Sequence, residues 1–219
     1  MAPAHQAPLE DPLDYLPFSR ILEYGRGQVI YNQNQPSLSI YLVIGGKVKV
    51  SRLSDCDRQV LVDIYQTDDF FGESALLDLP GNPDQATALE DTKLMTWVAS
   101  EVEELVTRRP RLGIAFLQML AGRTTEFKRR IASLGTDNIA RRLAHCLISF
   151  SARMGTPLED GSVSLVTFTH KLLSEHIGTT REIVTDHMIQ FRAQGYLRYS
   201  RKAIVLYPEA LREWLRHAS

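Results

Sequence analysis

Arg181 and Glu182 stand side by side after Gly178-Thr179-Thr180, and the pair has a definite chemistry. A guanidinium donates two parallel N–H bonds to the O6 and N7 acceptors of guanine, and a carboxylate accepts from the N4 amine of cytosine. The hydroxyls of Thr169, Thr179 and Thr180, the imidazole of His170 and the ammonium of Lys171 suit phosphate oxygens. Contacts of that kind position a protein on a duplex without reading it. Thr185 and Gln190 follow on the same segment, and Arg201 and Lys202 form a basic pair in Ser200-Arg201-Lys202. These residue types in this order predict a surface for double-stranded DNA.

The elements that must hold them are legible nearby. Residues 163–168 read as a strand, and Thr169 as the cap of a helix over 170–177. Gly178 permits a tight turn, and Thr179-Thr180-Arg181-Glu182 fits the S/T-x-x-E capping box that opens a second helix. Val184, Met188 and Phe191 then share a face that matches Leu173 and Ile177, while small Ser174 lets the two helices approach. Arg181, Glu182, Thr185 and Gln190 point elsewhere. Two short apolar runs, 195–199 and 203–207, flank the basic turn as a hairpin wing would. In such an arrangement the second helix enters the major groove while the first crosses the phosphate backbone.

The rest of the chain divides by period. Between residues 27 and 97, runs such as Ile40-Tyr41-Leu42-Val43-Ile44, Lys47-Val48-Lys49-Val50, the stretch 59–65 and Leu94-Met95-Thr96-Trp97-Val98 predict short strands of a sandwich or roll. Gly72-Glu73-Ser74-Ala75-Leu76-Leu77 predicts one helical turn among them. Helical spacing begins at Glu101, and Pro110 suits the first turn of a new helix. Beyond it Leu117, Leu120, Thr124, Phe127, Ile131 and Leu134 recur every three or four residues. That spacing makes an a/d seam for an identical helix, or the buried face of a helix packed on its own domain. Gly135-Thr136-Asp137 is expected to break this helix, with Asp137 capping the next one, 138–154. The fold class is α+β, with a roll at 1–109, a dimerisation helix at 110–136 and a winged helix-turn-helix at 137–219.

Composition supports this division. Residues 1–137 hold 14 Lys+Arg and 19 Asp+Glu, a net of −5; residues 138–219 hold 11 and 7, a net of +4, and the halves sum to −1. A basic C-terminal part suits a polyanionic partner. No run of about 18 apolar residues spans a membrane, and the first 17 residues hold prolines and acids but no apolar signal core. The 2 cysteines, Cys56 and Cys146, form no CxxC pair, so neither a disulfide framework nor a zinc site is expected. These features point to the cytoplasm. No P-loop, GxSxG, HExxH or dinucleotide fingerprint is present, so the chain reads as no enzyme.

From Leu16 to Trp214 the chain resembles the Crp/Fnr regulators, the family of the cyclic-AMP receptor protein. The likeness rests on Gly45-Gly46-Lys47-Val48, Phe71-Gly72-Glu73, the long central helix and Thr169…Gly178-Thr179-Thr180-Arg181-Glu182-Ile183-Val184 in that order. It implies a cyclic-nucleotide-binding-like β-roll, a homodimer on a pseudo-palindromic DNA site, and an effector signal passed through the central helices. RNA polymerase becomes a partner if the regulator activates. The corresponding effector pocket comprises Phe71, Gly72, Glu73, Ser74, Arg123 and Phe127.

Two departures matter. Cyclic-nucleotide sensors of the family carry an Arg-Ser pair on a loop after Gly-Glu, whereas residues 81–88 here contain none. No Lys or Arg occurs between Arg58 and Lys93, so cyclic AMP is disfavoured; a buried anion needs a counter-charge, and Arg123 is the one substitute. Glu73 then reads as an acceptor for backbone N–H groups. The second departure is Asp186, where a basic residue is usual, followed by His187. An iron–sulfur cluster needs about four cysteines and is excluded. Haem would need His5, the N-terminal amine, Cys56 or Met95, since the roll has no histidine, and is disfavoured. Cys56, flanked by aspartates, reads as an inert surface thiol. A cyclic-nucleotide- or haem-dependent regulator, or a ligand-binding module without DNA, are the alternatives.

Overall fold

The computed structural model describes residues 9–54, 59–77, 79–166, 168–199 and 203–217, with Val166 as backbone alone. His5, Cys56, Arg58, Asp78 and the basic wing turn Ser200-Arg201-Lys202 lie outside the described residues. The chain forms two compact units. One holds the residues up to Arg52 together with Ile64–Arg130, and the other holds Leu53–Asp63 with Ile131–Ser219.

Eight strands make two sheets at the N-terminal side: β1 (Arg20–Tyr24), β2 (Val29–Tyr31), β3 (Ser39–Gly45), β4 (Lys47–Leu53), β5 (Gln59–Gln66), β6 (Phe70–Phe71), β7 (Gln85–Ala88) and β8 (Thr92–Val98). Their orders are β1-β8-β3-β6 and β2-β7-β4-β5. The strong apolar runs became β3, β4, β5 and β8. The shorter β1, β2, β6 and β7 are defined by pairing, as in the register Leu22↔Leu94. Aromatic rings join the inner faces, with Tyr31 of one sheet 6.0 Å from Tyr41 and 6.2 Å from Phe71 of the other. Gly46 makes the β3–β4 turn at φ +87, where an added Cβ would sit 2.5 Å from Asp91 O. Only glycine fits that approach. The single turn expected near Gly72 is a 3₁₀ helix, Glu73–Leu76.

Two helices cover the outer face of the first sheet: α1 (Ala99–Arg108) and α2 (Pro110–Thr136). Val102, Leu112 and Phe116 pack there against Ile40, Leu42, Phe70 and Trp97. Each such buried apolar side chain contributes about 1.5–3 kcal/mol. Among the described residues, Glu10 and Pro17 are pinned to the same place. Trp97 Nε1 donates to Pro17 O at 2.9 Å, Glu10 N–H donates to Gln118 Oε1 at 2.8 Å, and the Glu10 carboxylate pairs with Arg111 at 2.9 Å.

Helix α2 has 27 residues, a rod of about 40 Å. It runs through Gly135 and Thr136, so the expected break moves to Asp137-Asn138. The cap of α3 (Ile139–Met154) is Asn138, whose side chain accepts from Arg141 N–H at 3.0 Å. Asp137, expected there, instead accepts from Ser133 Oγ at 2.7 Å and from Arg141 Nε at 3.0 Å. The Ser133 bond, with Arg141 and His145 nearby, holds its carboxyl below the usual range. Asn138 is one residue closer to the helix and takes the orphan N–H first.

The second unit continues with β9 (Thr156–Pro157), β10 (Val163–Val166), α4 (His170–Ile177), α5 (Arg181–Ala193), β11 (Leu197–Tyr199), β12 (Ala203–Leu206) and α6 (Pro208–His217). Its sheet has the order β11-β12-β10-β9. Strand β10 ends before the predicted 168, and Phe168 turns inward with its ring 5.0 Å from Phe150. Helix α6 was not anticipated. Its Trp214 lies 5.3 Å from Phe191 and 6.4 Å from Tyr196, closing the back of α5.

Candidate nucleic-acid interface

Helices α4 and α5 are joined by a turn that the local sequence dictates. Gly178 adopts φ +71, and its N–H and that of Thr179 both donate to Ser174 O, at 3.0 and 3.1 Å. A left-handed glycine satisfies the last carbonyls of a helix in this way. Arg142 Nη1 donates to Ile177 O at 2.9 Å, placing a cation at the same helix end. Leu173, Ile177, Val184, Met188 and Phe191 are all buried, as their spacing predicted. The helix pair is therefore fixed from its apolar side, and the opposite side is left open.

Both helices are capped at the ends that carry polar candidates. Thr169 Oγ1 accepts from Leu172 N–H at 3.1 Å and keeps its own proton for an outside acceptor. The second cap is displaced by one residue from the expected box. Thr180, not Thr179, accepts from the third helical N–H, that of Ile183, at 3.4 Å. Glu182 thus sits at the second helical position, where its carboxylate takes its own N–H and the Thr180 hydroxyl. These bonds hold its pKa below the ordinary value. An anion at a helix N-terminus is favoured by the macrodipole as well.

The structure gathers Thr169, His170, Lys171, Thr180, Arg181, Glu182 and Thr185 around the first turns of α4 and α5, with Thr179 in the joining turn. Lys171 is exposed, with Glu175 4.0 Å away. Gln190 is not among them: at 100° per residue it lies about half a turn round from Arg181. Its side-chain oxygen faces His187 Nδ1 at 3.3 Å. His187 itself is half-buried and Asp186 exposed. Ile189, not anticipated, falls on the outward face between Thr185 and Glu182 and is 55% exposed. Its signal was an apolar residue out of step with the Val184-Met188-Phe191 stripe. Strands β11 and β12 pair as the predicted hairpin, Arg198↔Val205 and Tyr199↔Ile204; its tip, with Arg201 and Lys202, lies outside the described residues.

In the other unit Arg123 reaches from α2 into the roll. Its Nη2 donates to Phe70 O, its Nη1 lies 3.6 Å from Glu73 Oε2, and its guanidinium stacks 4.9 Å over the Tyr65 ring. Glu73 therefore pairs with a cation, where an acceptor role toward backbone N–H groups was expected. Phe71 is buried in an aromatic stack, 5.0 Å from Tyr41 and 5.5 Å from Tyr65. Ser74 Oγ donates to Asn82 Oδ1 at 2.5 Å, and Phe127 is half-buried one turn beyond Arg123. The loop that lacks cations of its own borrows one from β4, Arg52 to Asp84 at 2.8 Å. A crevice lined by Ile40, Phe70, Glu73, Leu76, Phe116 and Leu120 has a cavity volume of about 10 Å³, about one water. Among the described residues, no group of three or more His, Cys, Asp or Glu could hold a metal ion, and no helix is long and apolar enough to cross a membrane.

Comparison with known proteins agrees with this geometry. The family model for the cyclic nucleotide-binding domain matches residues 21–109, and that for the Crp-like helix-turn-helix domain matches residues 141–214. The chain is similar to the CRP-like cAMP-activated global transcriptional regulator of Mycobacterium tuberculosis, 25% identical over 187 residues, covering 84% of this chain and 83% of the relative. Among solved structures it is similar to FixK2 from Bradyrhizobium japonicum, with TM-score 0.78, 22% identity, and coverage of 89% and 96%. A CRP/FNR-family regulator from Thermus thermophilus matches with TM-score 0.72 and 25% identity over 90% of this chain and 98% of that one. These relatives are transcription regulators, not enzymes. With both family models in the family's order and the helix-turn-helix in place, the chain belongs to the Crp/Fnr family of DNA-binding transcription regulators.

Proposed function

We propose that the chain acts in the cytoplasm as a homodimer that reads a pseudo-palindromic DNA site, under the control of an effector other than cyclic AMP. The observation that carries this reading is the capped α4–Gly178–α5 pair, which presents Arg181 and Glu182 outward from a buried apolar face. Two such pairs related by a two-fold axis would read half-sites one helical turn, about 34 Å, apart. Arg181 supplies the bidentate contact to guanine, and Ile189 the apolar contact to a thymine methyl. Thr169, Lys171 and Thr179 bind phosphates, and Glu182 accepts from cytosine on giving up its own N–H. Where the regulator activates, RNA polymerase is its further partner.

Arg181→Ala is expected to weaken binding to the preferred site by about 1–3 kcal/mol and to relax base preference at one position. Duplexes selected from a randomised pool by the wild-type protein provide the measurement. Equal loss on unselected DNA would show Arg181 to be a phosphate contact. Support for the effector reading is the ion pairing of Arg123 with Glu73, together with its bond to Phe70 O, and of Arg52 with Asp84. Calorimetry with cyclic AMP is expected to show no saturable heat. Micromolar binding would restore the cyclic-nucleotide alternative, which the name of the Mycobacterium relative favours.

A further inference from the structure

His170 touches both elements that would flank the duplex. Its Nδ1 lies 2.8 Å from Thr185 Oγ1 on α5, and its Nε2 lies 3.2 Å from the Tyr199 hydroxyl on β11. One tautomer lets all the neighbouring contacts be hydrogen bonds at once. Thr185 has one hydroxyl proton and donates it to Arg181 O at 2.9 Å. Nδ1 must therefore carry a hydrogen and donate to Thr185. In the neutral ring Nε2 is then an acceptor, and the Tyr199 O–H donates to it. One imidazole thus holds the recognition helix by a donor and the wing strand by an acceptor.

Protonation changes one of these bonds and keeps the other. Nδ1–H still donates to Thr185, but Nε2 now carries a hydrogen, so the Tyr199 O–H must turn to another acceptor. The free protein opposes this change. Burial first, and the Arg181 guanidinium on α5 second, hold the imidazole below its ordinary pKa. Of the other charges near this cluster, Lys171 on α4 lies 4.0 Å from Glu175, and Arg192 acts on Tyr199. A phosphate at the N-terminus of α4 has the opposite sign and accepts hydrogen bonds. It would stabilise the imidazolium, and its oxygen would accept a hydrogen bond from the released Tyr199 O–H.

We propose that His170 is a proton-linked positioning residue of the DNA interface: neutral in the free protein, protonated against a phosphate in the complex, and setting recognition helix and wing together through Thr185 and Tyr199. The proposal rests on the DNA interface described above. Its sign follows from linkage. A group that binds a proton more tightly in the complex than in the free protein raises DNA affinity as pH falls through the interval between its two pKa values. Between about pH 7.5 and pH 5.5, at constant ionic strength, Kd for a selected duplex is expected to fall about three- to tenfold.

The test compares the wild type with His170→Gln, His187→Gln and Tyr199→Phe by fluorescence anisotropy on that duplex, with the histidine ring signals followed by NMR. Gln at position 170 can donate and accept but cannot titrate, so the pH slope of whatever binding it retains is expected to vanish. His187→Gln is expected to keep the slope. Tyr199→Phe removes the hydroxyl that stabilises the neutral ring, so the free imidazole should titrate at higher pH. An unreduced slope in His170→Gln would overturn the proposal, and so would an unchanged titration in Tyr199→Phe. If His170→Gln does not fold, the wild-type ring signal decides alone: titration at the same pH with and without duplex refutes proton linkage. Failure of all variants and wild type to bind any duplex would instead sink the interface itself, which the free-protein titration keeps separate.

Discussion

Replacing Leu117 and Ile131 together by aspartate is expected to leave a folded monomer that no longer holds its operator at concentrations where the wild type saturates it. Leu117 is 64% exposed, Ile131 68% and Leu134 48%, all on one continuous helix. An apolar stripe of this kind, a few residues wide and rimmed by charged ones, marks an interaction surface. Thr124 already donates its hydroxyl proton to Leu120 O at 2.8 Å, so it places no unsatisfied donor in a packed seam. Each leucine or isoleucine buried between two helices contributes about 1.5–3 kcal/mol per partner, and an unpaired carboxylate in the same place opposes packing. Loss of the second half-site removes an avidity gain of about 10²–10⁴. Sedimentation velocity and anisotropy check both claims. A variant that stays dimeric would show that the stripe is not the dimer seam, and one that loses its fold would return the stripe to the other reading, a face packed within its own domain.

Phe191→Ala is expected to destabilise the DNA-binding unit by about 3–5 kcal/mol. The ring is 2% exposed and lies edge-on to Tyr196 and Trp214 at 6.1 and 5.3 Å. Its loss opens a cavity between α5 and α6, which holds the back of the recognition helix. In a unit of this size each kcal/mol moves Tm by about 4–8 °C, so the transition of this unit should drop by more than about 12 °C. Circular dichroism measures it, and a shift of a few degrees would show that α6 does not support α5. Arg181→Ala is the contrast. Its side chain is exposed, so it should weaken DNA binding with Tm unchanged.

The helix-turn-helix was legible because short-range rules decide it. Thr169, Gly178 and the stripe through Val184, Met188 and Phe191 act within a few residues of themselves, so period and cap chemistry place them. Neighbouring candidates for a cap were harder to separate. Thr180 won over Thr179 and Asn138 over Asp137, because each lies one residue nearer the first orphan N–H. Strands β1, β2, β6 and β7 were faint, being two to five residues long and defined by partners far along the chain. Helix α6 was missed because its role is to cover Phe191 and Tyr196, a need that exists only once those rings are placed.

The sequence by itself determined the domain order, the outward placement of Arg181 and Glu182, and the absence of a cation between Arg58 and Lys93. These follow from local spacing and residue type. Only the tertiary structure decided what surrounds that acidic stretch, bringing Arg52 to Asp84 and Arg123 to Glu73 from elements outside it. It alone also joined His170, Thr185 and Tyr199, which are 15 and 29 residues apart along the chain. A hydrogen bond of about 3 Å between such residues depends on how two helices and a strand pack. Periodicity reports which face is buried, and only packing determines which polar groups meet on the face left open.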